Sequence, residues 1–352
     1  MVTVELTTNP GLEDLTLDEF GVRAAARGFT VTGSERCPDG LAGHVLVEVE
    51  APWTALNPVV QTLRSAHRAI RWLDAFPLRS PDPLAQIRAA MSAVVPRIAE
   101  LDHPDRSFRV TSSRTGPHPF TSEDVQRVAG AGVRAVTPHP VSLEAFDVEL
   151  RCDVRGDVCR IGVQLGGLSR RPKGPYTQRT SLRGNVAWAL LQLTRPDTVP
   201  DHLLDPFCGA GTVLSEASAR WPEARLAGVD RRAEAAKGTR ENLAHAGAIA
   251  EVRVGDARAL HESWPPATFD TIVTNPPFGK RLGRRLDLGR FYGDVLGSVA
   301  AVARPGARLG MLAYRRGAFN RALQANGAWS TRHVRVLELG GLYVGVFVLQ
   351  RR

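Results

Sequence analysis

Six consecutive residues, Thr274-Asn275-Pro276-Pro277-Phe278-Gly279, bring together an amide, a backbone carbonyl fixed by two prolines, and an aromatic ring. They follow an apolar run at 269–273 that reads as a buried strand, and consecutive prolines forbid both helix and further sheet pairing. The chain must leave the sheet rigidly there, at a strand's carboxyl end, where open α/β sheets bind ligands. Such a set suits a flat base carrying an exocyclic amine. The Asn275 side-chain oxygen and the Pro276 carbonyl can each accept one amine hydrogen, and Phe278 can stack on an extruded ring, worth roughly 1–3 kcal/mol. Alone, the tetrapeptide would be an ordinary rigid loop; its surroundings decide. Lys280, Arg281, Arg284 and Arg285 come next and can grip phosphates beside a target, although Arg284 and Arg285 equally suit the start of a surface helix.

Upstream, Asp205, Pro206, Phe207, Cys208, Gly209, Ala210, Gly211 and Thr212 occupy a strand-to-helix turn. Glycines there let the backbone approach a ligand closely. A dinucleotide fingerprint needs Gly or Ala at position 214, which is Leu, and a phosphate loop needs Gly-Lys-Ser/Thr, which is absent. Asp230 closes the next strand, where its carboxylate can accept two ribose hydroxyls, and Asp256 closes the third. Singly, such aspartates are turn or cap residues; after a glycine loop, at successive strand ends, they form a nucleoside site.

This loop resembles the S-adenosyl-L-methionine loop of class I methyltransferases. The resemblance implies that Asp205, Phe207, Gly209, Gly211, Thr212, Asp230, Asp256, Ala257 and Asn275 line the cofactor. In that family Asp205 reaches the cofactor's amino group and Asp256, with Ala257 beside it, the adenine amine; Asp205 can instead order the loop through its amides. A methyl donor gives the amine-binding loop a reaction. An aromatic amine is a poor nucleophile because its lone pair is delocalised, and acceptors at Asn275 and Pro276 favour the pyramidal nitrogen needed for attack.

Elements around these residues alternate regularly from position 181 onward: helix 182–193, strand 203–206, helix 212–220, strand 225–230, helix 233–246, strand 251–255, then the opening strand. A helix at 286–302, a strand at 308–313, a helix at 317–325 and two strands around Gly340-Gly341 complete a doubly wound α/β sheet ending in an antiparallel hairpin. That ending departs from plain Rossmann order and resembles class I methyltransferases. Before it, 3–8, 29–32, 44–49 and 69–76 read as strands. Helices at 11–27, with Asn9-Pro10 as cap and first position, and at 52–64 make the order βαββαβ of a ferredoxin-like unit. A further unit starts near residue 80 with Leu84, Ile87, Met91, Val94, Val95 and Ile98 at helical spacing. It continues with a strand at 108–112, a helix from Thr121 to about Val136 opened by the capping pattern Thr121, Ser122 and Asp124, and a hairpin of 147–154 with 158–165.

Pro10-Gly11-Leu12-Glu13-Asp14, Arg64-Ser65-Ala66-His67-Arg68, Phe108-Arg109-Val110 and the run from Gly116-Pro117-His118 to Asp124-Val125 resemble the opening half of THUMP-containing RNA-modification enzymes. The resemblance implies a ferredoxin-like domain at 1–79 and a THUMP domain at 80–167 that hold the 3′ acceptor end of tRNA, with Arg109, Arg114 and His118 among the RNA contacts. A basic linker at 168–180 carries Arg170, Arg171, Lys173, Arg179 and Tyr176; Arg170, Arg171 and Lys173 are candidates for phosphate contact, against a solvated linker. The methyltransferase domain spans 181–352.

A formal net charge of +9 over 352 residues favours a polyanionic partner. The four cysteines have no CxxC spacing, so neither a metal nor disulfides are expected. A cytoplasmic, membrane-free monomer follows as the expectation. The Asn-Pro-Pro-Phe loop leaves adenine N6 and guanine N2 both open. The combined motifs resemble the tRNA guanine-N2 methyltransferases of the TrmN type, which implies guanine 6 in the acceptor stem; related position-10 enzymes usually carry Asp where Asn275 stands. Ribosomal-RNA guanine-N2 methylation, adenine-N6 methylation and a non-catalytic RNA-binding factor are the alternatives.

Overall fold

The computed structural model describes residues 1–165, 174–178, 181–277 and 287–352. They form two compact units: Met1–Thr8 with Glu13–Arg170, and Asn9–Leu12 with Arg171–Arg352.

The first unit contains β1 Val2–Thr7, α1 Glu13–Ala25, β2 Thr30–Arg36, β3 His44–Glu50, α2 Trp53–Gln61 and β4 Arg68–Pro77. It continues with α3 Pro83–Val94, β5 Phe108–Thr111, β6 Arg114–Thr115, α4 Ser122–Arg134, β7 Val148–Arg155 and β8 Val158–Leu165. One sheet in the order β2-β3-β1-β4-β8-β7-β5 spans both sides of residue 80, because β4 pairs antiparallel with β8 from Ala69↔Leu165 to Pro77↔Val158. The first four strands have the ferredoxin-like order. Apolar faces at Ile87, Met91 and Val94 of α3 and Val125, Ala129 and Val133 of α4 cover the β5–β7–β8 part. The helix predicted through Ile98 ends at Val94, since Pro96 cannot donate within it. Thr121 and Asp124 do form the expected capping box.

A buried acid ties four of these strands. Glu5 of β1 accepts from His44 Nδ1 at 2.7 Å, Trp72 Nε1 at 2.9 Å, and Arg155 at 2.7 and 3.0 Å. Burial raises a carboxyl pKa, yet these donors and the Arg155 charge together hold Glu5 down at about 2.

The second unit contains α5 Gly184–Thr194, β9 His202–Asp205, α6 Thr212–Arg220, β10 Arg225–Asp230, α7 Ala233–His245 and β11 Glu251–Val254. After them come β12 Phe269–Thr274, α8 Leu288–Val302, β13 Ala303–Ala313, α9 Arg316–Asn326, β14 Trp329–Leu339 and β15 Leu342–Arg351. The sheet order is β11-β10-β9-β12-β13-β15-β14, parallel through β13 and antiparallel for the closing hairpin. Connections diverge between β9 and β12, so a crevice opens at their carboxyl ends.

Asn9–Leu12 correct an expectation. Gly11 has φ 93°, outside the helical region, and α1 starts only at Glu13. Instead the segment covers β14, an edge strand with free backbone groups. Asn9 Nδ2 donates to Glu338 O at 3.1 Å, Glu338 N to Pro10 O at 3.0 Å, and Arg335 to Gly11 O at 3.1 Å. Asn185 Nδ2 of α5 fixes the Asn9 amide from the other side at 2.9 Å. A Cβ at Gly11 would collide with the Val336 carbonyl oxygen.

Candidate active site

Asp205 ends β9 almost fully buried, and its Oδ1 accepts from Phe207 N at 3.1 Å and from Thr274 Oγ1 at 2.7 Å. The carboxylate therefore anchors the glycine loop and the end of β12 together. No described group donates to Oδ2. Burial pushes this carboxyl up to about 7; the Thr274 and Phe207 bonds pull the other way, and the Asp230 charge adds to the rise.

The loop then runs through two left-handed glycines, Gly209 at φ 57° and Gly211 at φ 80°, before Thr212 opens α6. A Cβ at Gly211 would lie 2.9 Å from Thr239 Cγ2. Two side chains of α7 hold the loop's carbonyls: Thr239 Oγ1 donates to Gly209 O at 2.8 Å and Asn242 Nδ2 to Ala210 O at 2.9 Å. Asp230 Oδ2 accepts from Gly209 N at 3.1 Å, and its Oδ1 from Arg232 N at 2.9 Å. The candidate ribose acceptor thus also ties the loop to β10. Asp256 is clasped by Arg258 at 2.6 and 3.0 Å, and chiefly that guanidinium lowers its pKa; Ala257 beside it is buried.

On the far side of the crevice Thr274 is wholly buried, Asn275 half-buried, Pro276 buried and Pro277 exposed. Asn275 Oδ1 is shielded from solvent and has no hydrogen-bond partner among the described residues. Leaving such an acceptor unmade costs about 1–3 kcal/mol, so the position favours a donor brought by a ligand. Phe278, Lys280 and Arg281 lie outside the described residues, as do Arg170, Arg171 and Lys173.

The sequence marks residues 174–178 only as part of a basic linker. They lie against α7: Tyr176 N donates to Asn242 Oδ1 at 2.9 Å, Asn242 Nδ2 to Tyr176 O at 2.8 Å, and Gln178 Nε2 to the Tyr176 hydroxyl at 2.9 Å. The Gln178 Oε1 lies 3.4 Å from where a Gly209 Cβ would stand. Gly238 makes this possible, because a Cβ there would enter the Tyr176 ring. Glycine inside a helix costs about 1 kcal/mol relative to alanine, so Gly238 was the available signal; nothing comparable marked Thr239, Asn242 or Thr274.

The three RNA-contact candidates of the first unit are placed differently. Arg109 of β5 stacks 3.8 Å over Phe146 and pairs with Glu149 at 3.1 Å, which engages its guanidinium internally. Arg114 and His118 meet around Gly116: Arg114 donates to Gly116 O at 2.7 Å, and His118 stacks on Phe120 with ring centroids 4.9 Å apart. Among the described residues no group of three His, Cys, Asp or Glu could hold a metal, and no helix is long and apolar enough to cross a membrane.

Residues 171–345 match the family described as RMKL-like, methyltransferase domain, and 87–164 match the THUMP domain. A Thermus thermophilus protein named tRNA (guanine(6)-N2)-methyltransferase is 34% identical over 356 residues, covering 99% of both chains. The chain belongs to the THUMP-domain class I methyltransferases of the TrmN type. The crystal structure of TrmN from that organism superposes over all of both chains with a TM-score of 0.82 at 33% identity. A mouse relative, tRNA (guanine(6)-N(2))-methyltransferase THUMP3, is 28% identical over 261 residues, which is 70% of this chain but 52% of its own length. Family membership accounts for the mixed α/β fold and its reversed closing strands.

Proposed function

We propose that this protein methylates the exocyclic N2 of guanine in tRNA, at guanosine 6 of the acceptor stem, with S-adenosyl-L-methionine as donor. The observation that carries the chemistry is the buried Asn275 Oδ1 at the end of β12, without a hydrogen-bond partner among the described residues and tied through Thr274 and Asp205 to the glycine loop. The choice of guanine and of position 6 is supported by the 34% identity over nearly the whole chain to the Thermus enzyme of that name.

The residues fit the cofactor. Gly209 and Gly211 add no side chain to the turn, no described group donates to Asp205 Oδ2, and Asp230 stands at the neighbouring strand end. Asp205 would meet the amino group, Phe207, Gly209, Gly211 and Thr212 the backbone side of the ligand, Asp230 the ribose, and Asp256 with Ala257 the adenine. When bound, the cofactor supplies an electrophilic methyl group.

The chain's own part is to prepare the amine. Asn275 Oδ1 and the Pro276 carbonyl accept its two hydrogens, which favours the pyramidal nitrogen whose lone pair leaves conjugation. Phe278 stacks on the extruded base. The charged product amine is acidic enough to lose its proton to water, so no strong base is needed. The 1–79 and 80–167 stretches hold the tRNA acceptor end, Arg114, His118 and the basic linker meeting phosphates, in the cytoplasm; distance from that grip selects the nucleotide.

Incubation with labelled cofactor and unmodified tRNA, followed by nuclease digestion and mass spectrometry, tests this. N2-methylguanosine at position 6 is expected. Methyladenosine, or unlabelled tRNA, would refute it.

A further inference from the structure

A concavity of about 560 Å³ lies beyond the carboxyl end of β13, within the range of roughly 300–1,000 Å³ found for small-molecule sites. Tyr314, Arg315, Arg316, Asn320, Tyr343 and Phe347 line it. Among the described residues no acidic side chain lines it, and neither Arg315 nor Arg316 is ion-paired with a described carboxylate. Its walls come from the second unit's own packing. Phe347 of β15 forms the floor, its ring 4.3 Å from that of Phe319 in α9. Gly345 leaves room there, since a Cβ would lie 2.6 Å from the Phe347 ring and 3.0 Å from Arg316 Cγ. Tyr343 is 66% exposed at the rim, and Val334, which pairs with Phe347, is 46% exposed beside it. Arg315 is held at φ 41°, a conformation that arginine rarely adopts.

We infer that this concavity holds a nucleotide of the substrate RNA next to the methylated base, with Arg315 and Arg316 on its phosphate and Tyr343 against its base. This rests on the tRNA reading above. Unpaired guanidiniums converging in a concave surface attract phosphate, and an exposed tyrosine beside them offers the stacking face that single-stranded RNA uses. Position agrees with chemistry. Thr274 is in register with Met311, so Asn275 is level with Leu312, and Tyr314 stands two residues, about 7 Å, further along the adjacent strand. An extruded guanine at Asn275 leaves its neighbour within reach of this wall.

Arg316→Gln, Arg315→Gln and Tyr343→Ala test it, with tRNA methylation measured at several salt concentrations and cofactor affinity by calorimetry. The arginine variants should raise the tRNA KM about tenfold and lower the slope of log affinity against log salt by about 0.7–0.9 per lost contact. Tyr343→Ala should raise KM with the slope unchanged, and cofactor affinity should be unaltered in all three. Unchanged KM and slope beside an active wild type overturn this inference alone. Parallel loss of cofactor affinity marks the residues as structural and also overturns it. A wild type inactive on tRNA removes the reading beneath it.

Discussion

With Asp205 in the proposed cofactor site, cofactor binding should depend on pH in a direction determined by the burial of this carboxyl. The carboxyl sits at about 7 against an ordinary 3.8 because it is buried at the end of β9. At 1.36 kcal/mol per pH unit, ionising it in the free protein costs about 4 kcal/mol. The sign follows: the neutral carboxyl suits the free fold, so this group's stabilisation is complete below 3.8 and is lost as pH rises through about 7. A cationic amino group placed against Oδ2 needs the carboxylate. Affinity for S-adenosyl-L-methionine should therefore rise by up to tenfold per pH unit between pH 5.5 and 7 and then level, with a proton released on binding in the lower part of that range. Calorimetry in buffers of different ionisation enthalpy measures both quantities, and stopping at pH 7 keeps clear of the ligand's own amino group, which titrates near 7.7–8.0. Asp205→Asn should bind weakly, lose the pH dependence, and be no less stable than wild type at pH 8. Affinity that stays flat from pH 5.5 to 7, or a slope that survives in Asp205→Asn, would refute the reasoning.

Asn275→Ala should keep its cofactor affinity and lose about a hundredfold or more in kcat, the scale of removing one preorganised polar group; equal losses in both would make Asn275 structural. Gly238→Ala drives a methyl into the Tyr176 ring and should dislodge residues 174–178. Cofactor affinity should fall about tenfold, or ~1.4 kcal/mol, and an unchanged affinity would show that the segment does not shape the cofactor site. Glu5→Gln removes the nearest of three carboxylates that Arg155 faces, leaving Asp39 at 3.4 Å and Asp153 at 3.9 Å, and should lower the stability of the first unit by about 1.5–3 kcal/mol in denaturant titration, the scale of a hydrogen bond to a charged group. With Glu5 held at about 2, its contribution is complete above 4.5 and is lost as pH falls toward 2, so the mutant should show a smaller stability loss over that window than wild type.

Much of the second unit was readable because the strands that carry the site, β9, β10 and β12, are short, mostly apolar runs closed by Asp205, Asp230 and the Asn275-Pro276 pair. Local chemistry also located the Thr121 capping box and the β7–β8 hairpin. Contacts between distant residues were not readable. Thr274 looked like the last residue of a strand, and only the β9–β12 crossover brings its hydroxyl to Asp205. Tyr176 stands in a run of basic residues whose charge is the dominant local signal, whereas its contacts are with Gly238 and Asn242 in a helix that begins over fifty residues later. Asn9-Pro10 satisfied the rule for a helix start, but tertiary docking claimed the asparagine amide and set Gly11 at a positive φ that ends any helix.

That docking has a consequence for synthesis. Asn9 and its acceptor Glu338 are separated by 329 positions, so this segment is translated long before the strand it covers and must wait for its partners. Closing so long a loop carries an entropic cost that grows only logarithmically with its length, and contacts of such separation slow folding. The catalytic unit is therefore discontinuous along the chain: until β14 appears, nascent chains carry residues 9–12 unclaimed, and a fragment beginning after residue 12 would expose the β14 edge to other chains.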